Sequence, residues 1–147
     1  LGFVFQSFGL LPLLSAFENV ELPLRISGVG TKERERLTRR ALDIVDLQGR
    51  SSHRPYELSG GEQQRVAIAR AIVHDPVLIL ADEPTGELDS VNSRAIFGLF
   101  KQMVQEKNMS VVAATHDSNL LEMSDRVLRL SEGYIEEDAS YGKRFRE

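Results

Sequence analysis

The chain alternates between short, continuous apolar runs and longer stretches in which apolar residues recur at helical spacing. The apolar runs predict strands at 77–82 and 110–114, and the periodic stretches predict helices at 62–74 and 90–107. Continuous rather than alternating apolar character is typical of strands that helices cover on both faces. The helix at 90–107 is long enough for a right-handed crossover, so the pattern predicts part of a parallel α/β sheet.

The pattern also predicts a mostly helical region at 10–57. Ser15 and Glu18 have the spacing of a capping box, and Thr31 is a candidate N-cap for a further helix. Pro23 is expected to disrupt any regular helix around it. The remaining predictions are a first strand at 1–5, a short helix near 119–123, strands at 126–130 and 134–136 joined by a turn at 132–133, and a polar, mobile tail at 138–147.

Composition limits the class of protein. With 147 residues, 41% of them hydrophobic, the chain can build one ordinary core. A net charge of −4 gives no general attraction to nucleic acid or anionic lipid. The absence of cysteine excludes disulfides and thiolate chemistry, and no apolar run approaches the roughly 18 residues of a membrane span.

The segment Leu-Ser-Gly-Gly-Glu-Gln-Gln-Arg at 58–65 predicts an anion site at the start of a helix. Ser59 can cap the helix, while Gly60 and Gly61 let backbone N–H groups approach a phosphate. The helix dipole adds a preference for negative charge. The alternative interpretation is an ordinary capped helix that follows a turn.

Two acidic residues, Asp82 and Glu83, follow the first apolar run. The carboxyl end of a strand in an α/β sheet is where a magnesium ligand and a base are placed. The alternative is that both acids cap a helix, but a carboxylate at the end of an apolar strand is costly without a partner. His116 follows the next strand, so adjacent parallel strands would bring it near this pair.

This combination resembles the ATP-binding-cassette (ABC) ATPases, whose signature motif is Leu-Ser-Gly-Gly-Gln/Glu. The resemblance implies a P-loop NTPase fold of the ABC nucleotide-binding type, a parallel sheet with flanking helices plus a helical signature subdomain. Residues 1–137 would form this domain, with the helical subdomain at about 7–60 and the α/β core at 1–6 and 61–137. The phosphate-binding sequence Gly-x-x-x-x-Gly-Lys-Ser/Thr occurs nowhere in the chain, so we expect an incomplete domain, the carboxyl-terminal part of a longer ATPase.

The resemblance also implies where ATP and Mg²⁺ would be bound. Ser59, Gly60 and Gly61, with Glu62 in the same nucleotide-binding set, would contact the γ-phosphate of ATP held by the other subunit of a head-to-tail dimer. Asp82 would hold the magnesium ion through its water shell.

Three other residues match family motifs that act on the same phosphate. Glu83 would be the general base for the attacking water, and His116 the switch histidine that contacts the γ-phosphate. Gln6 would be the Q-loop glutamine, which senses magnesium and the γ-phosphate. A fourth residue, Asp89, belongs to the nucleotide-binding set and would end the D-loop at 86–89, which lies across the dimer interface. In this loop Glu87 replaces a small or amide residue and would place an additional charge toward the partner.

The resemblance can be narrowed to the bacterial subgroup that serves lipoprotein release, macrolide export and antimicrobial-peptide efflux. The segments that carry it are 5–8, 10–12, 18–24 and 81–86. It implies that 7–24 docks a membrane permease, which would hold the protein at the cytoplasmic face of the plasma membrane without insertion into it. The leucines at 10, 11, 13 and 14 and Phe17 fit a protein-facing groove, although some belong to the core.

The sequence leaves three functions open. The first is the motor subunit of a membrane exporter, which we favour for the intact protein. The second is an ABC ATPase of DNA repair, chromosome structure or translation; only 51 residues separate Gln6 from Leu58, with no long coiled coil between them and no basic linker. The third is a non-catalytic, partner-binding module, which we favour for this chain alone because it has no P-loop.

Overall fold

The computed structural model describes residues 1–137, so the predicted tail at 138–147 lies outside the described residues. The chain divides into two compact units, one of residues 1–114 and one that begins at Thr115. Wherever the sequence pattern predicts both bounds of an element, the observed helices and strands lie within about two residues of them. They are β1 (Gly2–Val4), α1 (Ala16–Ile26), α2 (Thr31–Ile44), α3 (Gly60–Ile72), β2 (Leu78–Asp82), α4 (Ser90–Lys107), β3 (Ser110–Ala114), α5 (Ser118–Met123), β4 (Leu128–Ser131) and β5 (Tyr134–Glu137).

The sheet of the first unit consists, among the described residues, of three parallel strands in the order β1-β2-β3. Val4 of β1 pairs with Ala81 of β2, and the next residue, Asp82, pairs with Ala114 of β3. The predicted parallel α/β sheet is therefore confirmed. Its three strands end together, so their carboxyl ends share one edge of the sheet.

Within residues 1–114, helices cover one face of this sheet, and the apolar residues of the other face are partly exposed. Ile79 and Ala81 are buried, whereas Phe3, Leu80 and Val112 form a row across the other face. Phe3 is 48% exposed and Val112 is 59% exposed. A continuous apolar run shows that both faces are apolar, but it does not show that this chain supplies the cover for each.

Helix α3 lies at the centre of the first unit, in contact with α1, α2, α4 and β1. A β-carbon on Gly2 would lie 2.4 Å from the carbonyl oxygen of Ala71, so glycine lets β1 approach the backbone of α3. Burial of its side chains on several sides makes α3 the main core element. Its buried apolar residues are Val66, Ala67, Ile68, Ala69, Ala71 and Ile72.

Two expectations about the helical region need correction. Pro23 lies inside α1 rather than disrupting it, because burial of Val20 and Leu24 on the same helix outweighs the lost N–H bond. Thr31 is the first residue of α2, and its N-cap is Gly30, which has no side chain to cap with. The capping box of Ser15 and Glu18 at the start of α1 is confirmed.

The second unit contains α5 and the antiparallel hairpin of β4 and β5. The hairpin turns through Glu132 and Gly133, which have φ angles of 50° and 84°, a pair of left-handed residues that suits a two-residue turn. Across residues 1–137, none of the helices combines the length and the apolar character needed to cross a membrane.

Candidate functional site

The carboxyl edge of the sheet carries the acidic pair. Asp82 is the last residue of β2 and its side chain is exposed. Glu83 leaves the strand in the left-handed region, with φ 42°, and its N–H still donates to Ala114 O at 2.9 Å. A non-glycine residue in this region is strained, and such strain persists only where the surrounding structure holds it.

Gln6 comes two residues after β1 and lies beside the loop that follows Glu83. A β-carbon on Gly86 would be 3.0 Å from Gln6 Nε2 and 3.4 Å from Glu83 O. Gly86 also donates its N–H to Glu83 O at 3.0 Å. The structure therefore brings Gln6 and the Glu83 loop together, and the absence of a side chain at Gly86 makes this approach possible.

The signature segment forms the start of α3. Ser59 is the N-cap: its Oγ accepts from Glu62 N at 3.3 Å, while Glu62 Oε2 accepts from Ser59 N at 2.8 Å. This capping box uses the N–H of Glu62 and leaves those of Gly60 and Gly61 at the helix end, where the backbone donors have no intrahelical acceptor. The turn thus has the donors that an anion requires.

Glu62 holds this turn rather than pointing away from it. Its backbone hydrogen bond with Ser59 is the main cause that lowers the pKa of its carboxyl, and Arg50 contributes through an ion pair at 3.2 Å. The carboxylate is therefore ionised at neutral pH. Its charge supports the N-terminus of α3 through the helix dipole.

The first turn of α3 packs against the start of α4 in the same chain. A β-carbon on Gly60 would be 3.4 Å from Leu88 Cδ2, and one on Gly61 would be 2.5 Å from Asn92 Oδ1. Asp89 is the N-cap of α4 and accepts from the N–H groups of Val91 and Asn92, both at 2.9 Å. These bonds lower the pKa of Asp89, with the Asn92 N–H as the largest cause.

His116 lies in the second unit, in the segment between β3 and α5, and its side chain is exposed. It follows the strand that pairs with β2, as the sequence indicates. Its approach to Asp82 and Glu83 stays a prediction.

Two residues of α3 make contacts that the sequence interpretation did not assign. Gln64 is buried, and its Nε2 donates to Pro84 O at 2.6 Å. Arg70 donates to Gly9 O at 2.5 Å and to Phe8 O at 3.0 Å, and burial lowers its pKa. One signal was available for Gln64, because it is a polar residue on the otherwise apolar buried side of α3.

The donors at the sheet edge suit magnesium. Asp82 offers carboxylate oxygens and Gln6 an amide oxygen, both of the hard type that Mg²⁺ prefers. Residues 1–137 contain no cluster of three or more acidic, histidine or cysteine side chains that could hold a metal ion. Magnesium characteristically takes one or two carboxylates and completes its shell with water and substrate phosphates, so this sparse set fits it.

Comparison with known proteins decides the family. The sequence profile described as "ABC transporter" matches residues 1–86, more than half of the chain. This chain belongs to the ABC transporter family. The α/β core and the signature helix described above are therefore part of an ABC nucleotide-binding domain.

Relatives narrow the resemblance to the expected subgroup. The chain is 47% identical over 135 residues to the lipoprotein-releasing system ATP-binding protein LolD of Legionella pneumophila, covering 92% of this chain and 60% of LolD. It is 46% identical over 140 residues to the macrolide export ATP-binding/permease protein MacB of Rhodopirellula baltica, covering 94% of this chain and 20% of MacB. The chain thus spans about three-fifths of the length of the LolD relative.

A solved structure gives the same result for the fold. The cassette MJ0796 of Methanocaldococcus jannaschii, described as dimeric, in a post-hydrolysis state and bound to ADP and Pi, superposes with a TM-score of 0.78. It is 43% identical, and the match covers 92% of this chain and 62% of that one. The predicted fold, a partial ABC nucleotide-binding domain, is confirmed.

Proposed function

We propose that this chain is part of an ATP-hydrolysing subunit that drives export or lipoprotein release through a membrane permease. The observation that carries the proposal is the pairing of two sites in one unit. One is the capped, glycine-rich start of α3, and the other is the acidic pair at the carboxyl end of β2. The first suits a phosphate and the second suits magnesium and an attacking water.

The signature turn would act on a nucleotide held by a second subunit. Support comes from the dimeric state of the related cassette MJ0796 with ADP and Pi. In a head-to-tail dimer, the N–H groups of Gly60 and Gly61 and the Ser59 hydroxyl would contact the γ-phosphate. Because Glu62 is engaged with Ser59 and Arg50, its carboxylate would hold the turn in place rather than face the phosphate.

Hydrolysis would need a base and charge stabilisation at the sheet edge. Glu83 would accept the proton of the attacking water or orient it, and His116 and Gln6 would contact the γ-phosphate side. Asp82 and Gln6 would hold the magnesium ion, which, when bound, would neutralise negative charge on the phosphates. Asp89 would lie at the dimer interface, where its carboxylate already caps α4.

The permease would dock on residues 7–24, which include the loop before α1. Leu13 is 81% exposed, and the buried side chain of Asn19 holds the loop that contains Leu13 through hydrogen bonds. Asn19 accepts from Leu11 N at 2.8 Å and donates to the carbonyls of Leu11, Leu14 and Ser15 at 3.0–3.1 Å. A rigidly held, exposed leucine suits an apolar pocket on a partner, and this contact would keep the protein at the cytoplasmic face of the membrane.

For the chain of 147 residues by itself, we expect no ATP turnover, because its sequence contains no P-loop motif. Titration calorimetry with MgATP would test this. Saturable binding that is lost in Asp82→Ala would reveal a phosphate site in these residues and reopen catalysis by the chain alone.

The full-length protein that contains this chain provides the test of the main proposal. Glu83→Gln should reduce its MgATP hydrolysis by about 10²–10⁴-fold while ATP still binds, since only the base is removed. Glu106→Gln, an exposed change on α4, is the control and should leave the rate unchanged. Full activity of Glu83→Gln would contradict the assignment.

A further inference from the structure

Gln64 is a buried polar residue within the apolar core that surrounds α3. Its exposed fraction is 0%, and its Nε2 donates to Pro84 O at 2.6 Å, 20 residues away in sequence. A carbonyl oxygen can only accept, so this bond fixes which end of the amide is the nitrogen. The other end, Oε1, is buried and has no hydrogen-bond partner among the described residues.

This arrangement is not what packing alone would favour. A buried acceptor without a partner costs free energy. An apolar side chain of similar shape would remove Oε1 but would also leave the Pro84 carbonyl without its donor. What the amide of Gln64 adds is its one bond to Pro84. The function of the residue should therefore be sought in Pro84 and its neighbours.

Pro84 directly follows Glu83, whose backbone is strained. Three hydrogen bonds hold this strained conformation. Glu83 N–H donates to Ala114 O, Gly86 N–H donates to Glu83 O, and the Gln64 amide donates to the carbonyl of Pro84. The first bond comes from the sheet and the second from the loop itself. The third comes from α3.

The same loop continues into residues that support the first turn of α3. Gly60 contacts Leu88, and Gly61 is pressed against Asn92. Together with Gln64 on Pro84, these contacts join the signature turn to the 84–92 segment at three successive points. A displacement of the signature turn would therefore displace the backbone next to Glu83.

We infer that Gln64 is a positioning residue, which ties the signature helix to the Glu83 loop of its own chain. Occupation of the signature turn by phosphate would thereby set the position of Glu83 in the same subunit. This inference rests on the proposed ATPase function, because it assigns Gln64 a part in that reaction. It concerns contacts within one chain, not the contacts across a dimer.

Gln64→Met in the full-length protein tests the inference. We expect kcat for MgATP to fall about 10–100-fold, the loss that a small misplacement of a catalytic group causes. The Kd for ATP and the melting temperature should stay at wild-type values, and amide exchange at Gly86 should accelerate as its bond to Glu83 O loosens. Gln102→Met, the same change on the exposed side of α4, should alter none of these.

Several results would overturn the inference. One is a kcat within about twofold of wild type in a folded Gln64→Met protein. Another is a parallel loss of kcat, ATP affinity and melting temperature, which would identify a structural residue; failure of both Gln64→Met and Gln64→Leu to fold would mean the same. If the wild-type protein hydrolyses no ATP, the proposed function fails, and unchanged exchange at Gly86 would then reject the positional link independently.

Discussion

Gly61 in the first turn of α3 is pressed against Asn92 in the first turn of α4, so that a β-carbon on Gly61 would lie 2.5 Å from Asn92 Oδ1. The Asn92 side chain is held there, because its Nδ2 donates to Asp89 Oδ2 at 2.7 Å. Packing against Asn92 therefore requires glycine at position 61, independently of any need for a phosphate to approach the backbone. It keeps the signature turn in contact with the segment that ends in Asp89.

Gly61→Ala should destabilise the protein by about 1–3 kcal/mol, because Asn92 must leave its bond to Asp89 or the two helices must separate. Urea unfolding of the full-length protein would measure the change. Gly98→Ala on α4 is the matched control, since its added β-carbon meets nothing within 4 Å. That control should stabilise the helix by about 0.5–1 kcal/mol, and equal effects of the two changes would contradict the close contact.

Acid should destabilise the signature helix through Glu62. Its carboxyl pKa is lowered from the ordinary value of 4.5 in the folded protein, so its contribution to stability is present above pH 4.5 and is lost as pH falls through the folded pKa. Glu62→Gln keeps the capping geometry but does not titrate. Unfolding free energies measured between pH 7 and pH 3 should therefore fall less steeply in Glu62→Gln, and identical slopes would argue against the capping bond.

The predicted docking of the permease can be tested by mutating two aliphatic residues that are almost equally exposed. Leu13 is 81% exposed and Ile26, at the end of α1, is 80% exposed, but only Leu13 lies in the predicted permease-binding segment. Leu13→Asp should abolish ATPase stimulation by the permease and leave the basal rate unchanged. Ile26→Asp should affect neither, and loss of stimulation in both variants would point to a general effect of surface charge.

Much of the fold followed from local patterns. The apolar runs that became β2 and β3, the capping box at Ser15 and the periodicity of α4 are each decided by neighbouring residues, so the sequence predicts them well. Pro23 was misjudged because the burial that keeps α1 intact involves residues distant in sequence. The cover of the second sheet face is undetermined for the same reason, since apolar character does not identify the element that lies on it.

In the candidate site, too, some residues could be predicted from the sequence and others could not. Ser59, Asp82 and Glu83 were found from motif spacing, because their chemistry requires particular residue types next to a strand end or a helix start. Gln64 was not predicted as a site residue, because its proposed role depends on a hydrogen bond to the carbonyl of Pro84, 20 residues away in sequence. A polar residue on the buried side of α3 indicates that Gln64 is unusual, but no local pattern identifies Pro84 as its partner. The relation of His116 to the acidic pair likewise depends on the arrangement of two separate units.

The open face of the sheet leads to a last prediction, for this chain as a separate polypeptide. Phe3, Leu80 and Val112 lie side by side on that face, and Phe3 also stacks on Phe5 with ring centroids 6.3 Å apart. An apolar sheet face favours association with another copy, and so do β1 and β3, which are the edge strands of this sheet among residues 1–137. Sedimentation analysis should therefore show self-association, reduced by Val112→Thr but not by Val91→Thr, an equivalent change at an exposed position on α4. A monodisperse, stable monomer would show that the row across the sheet does not drive association.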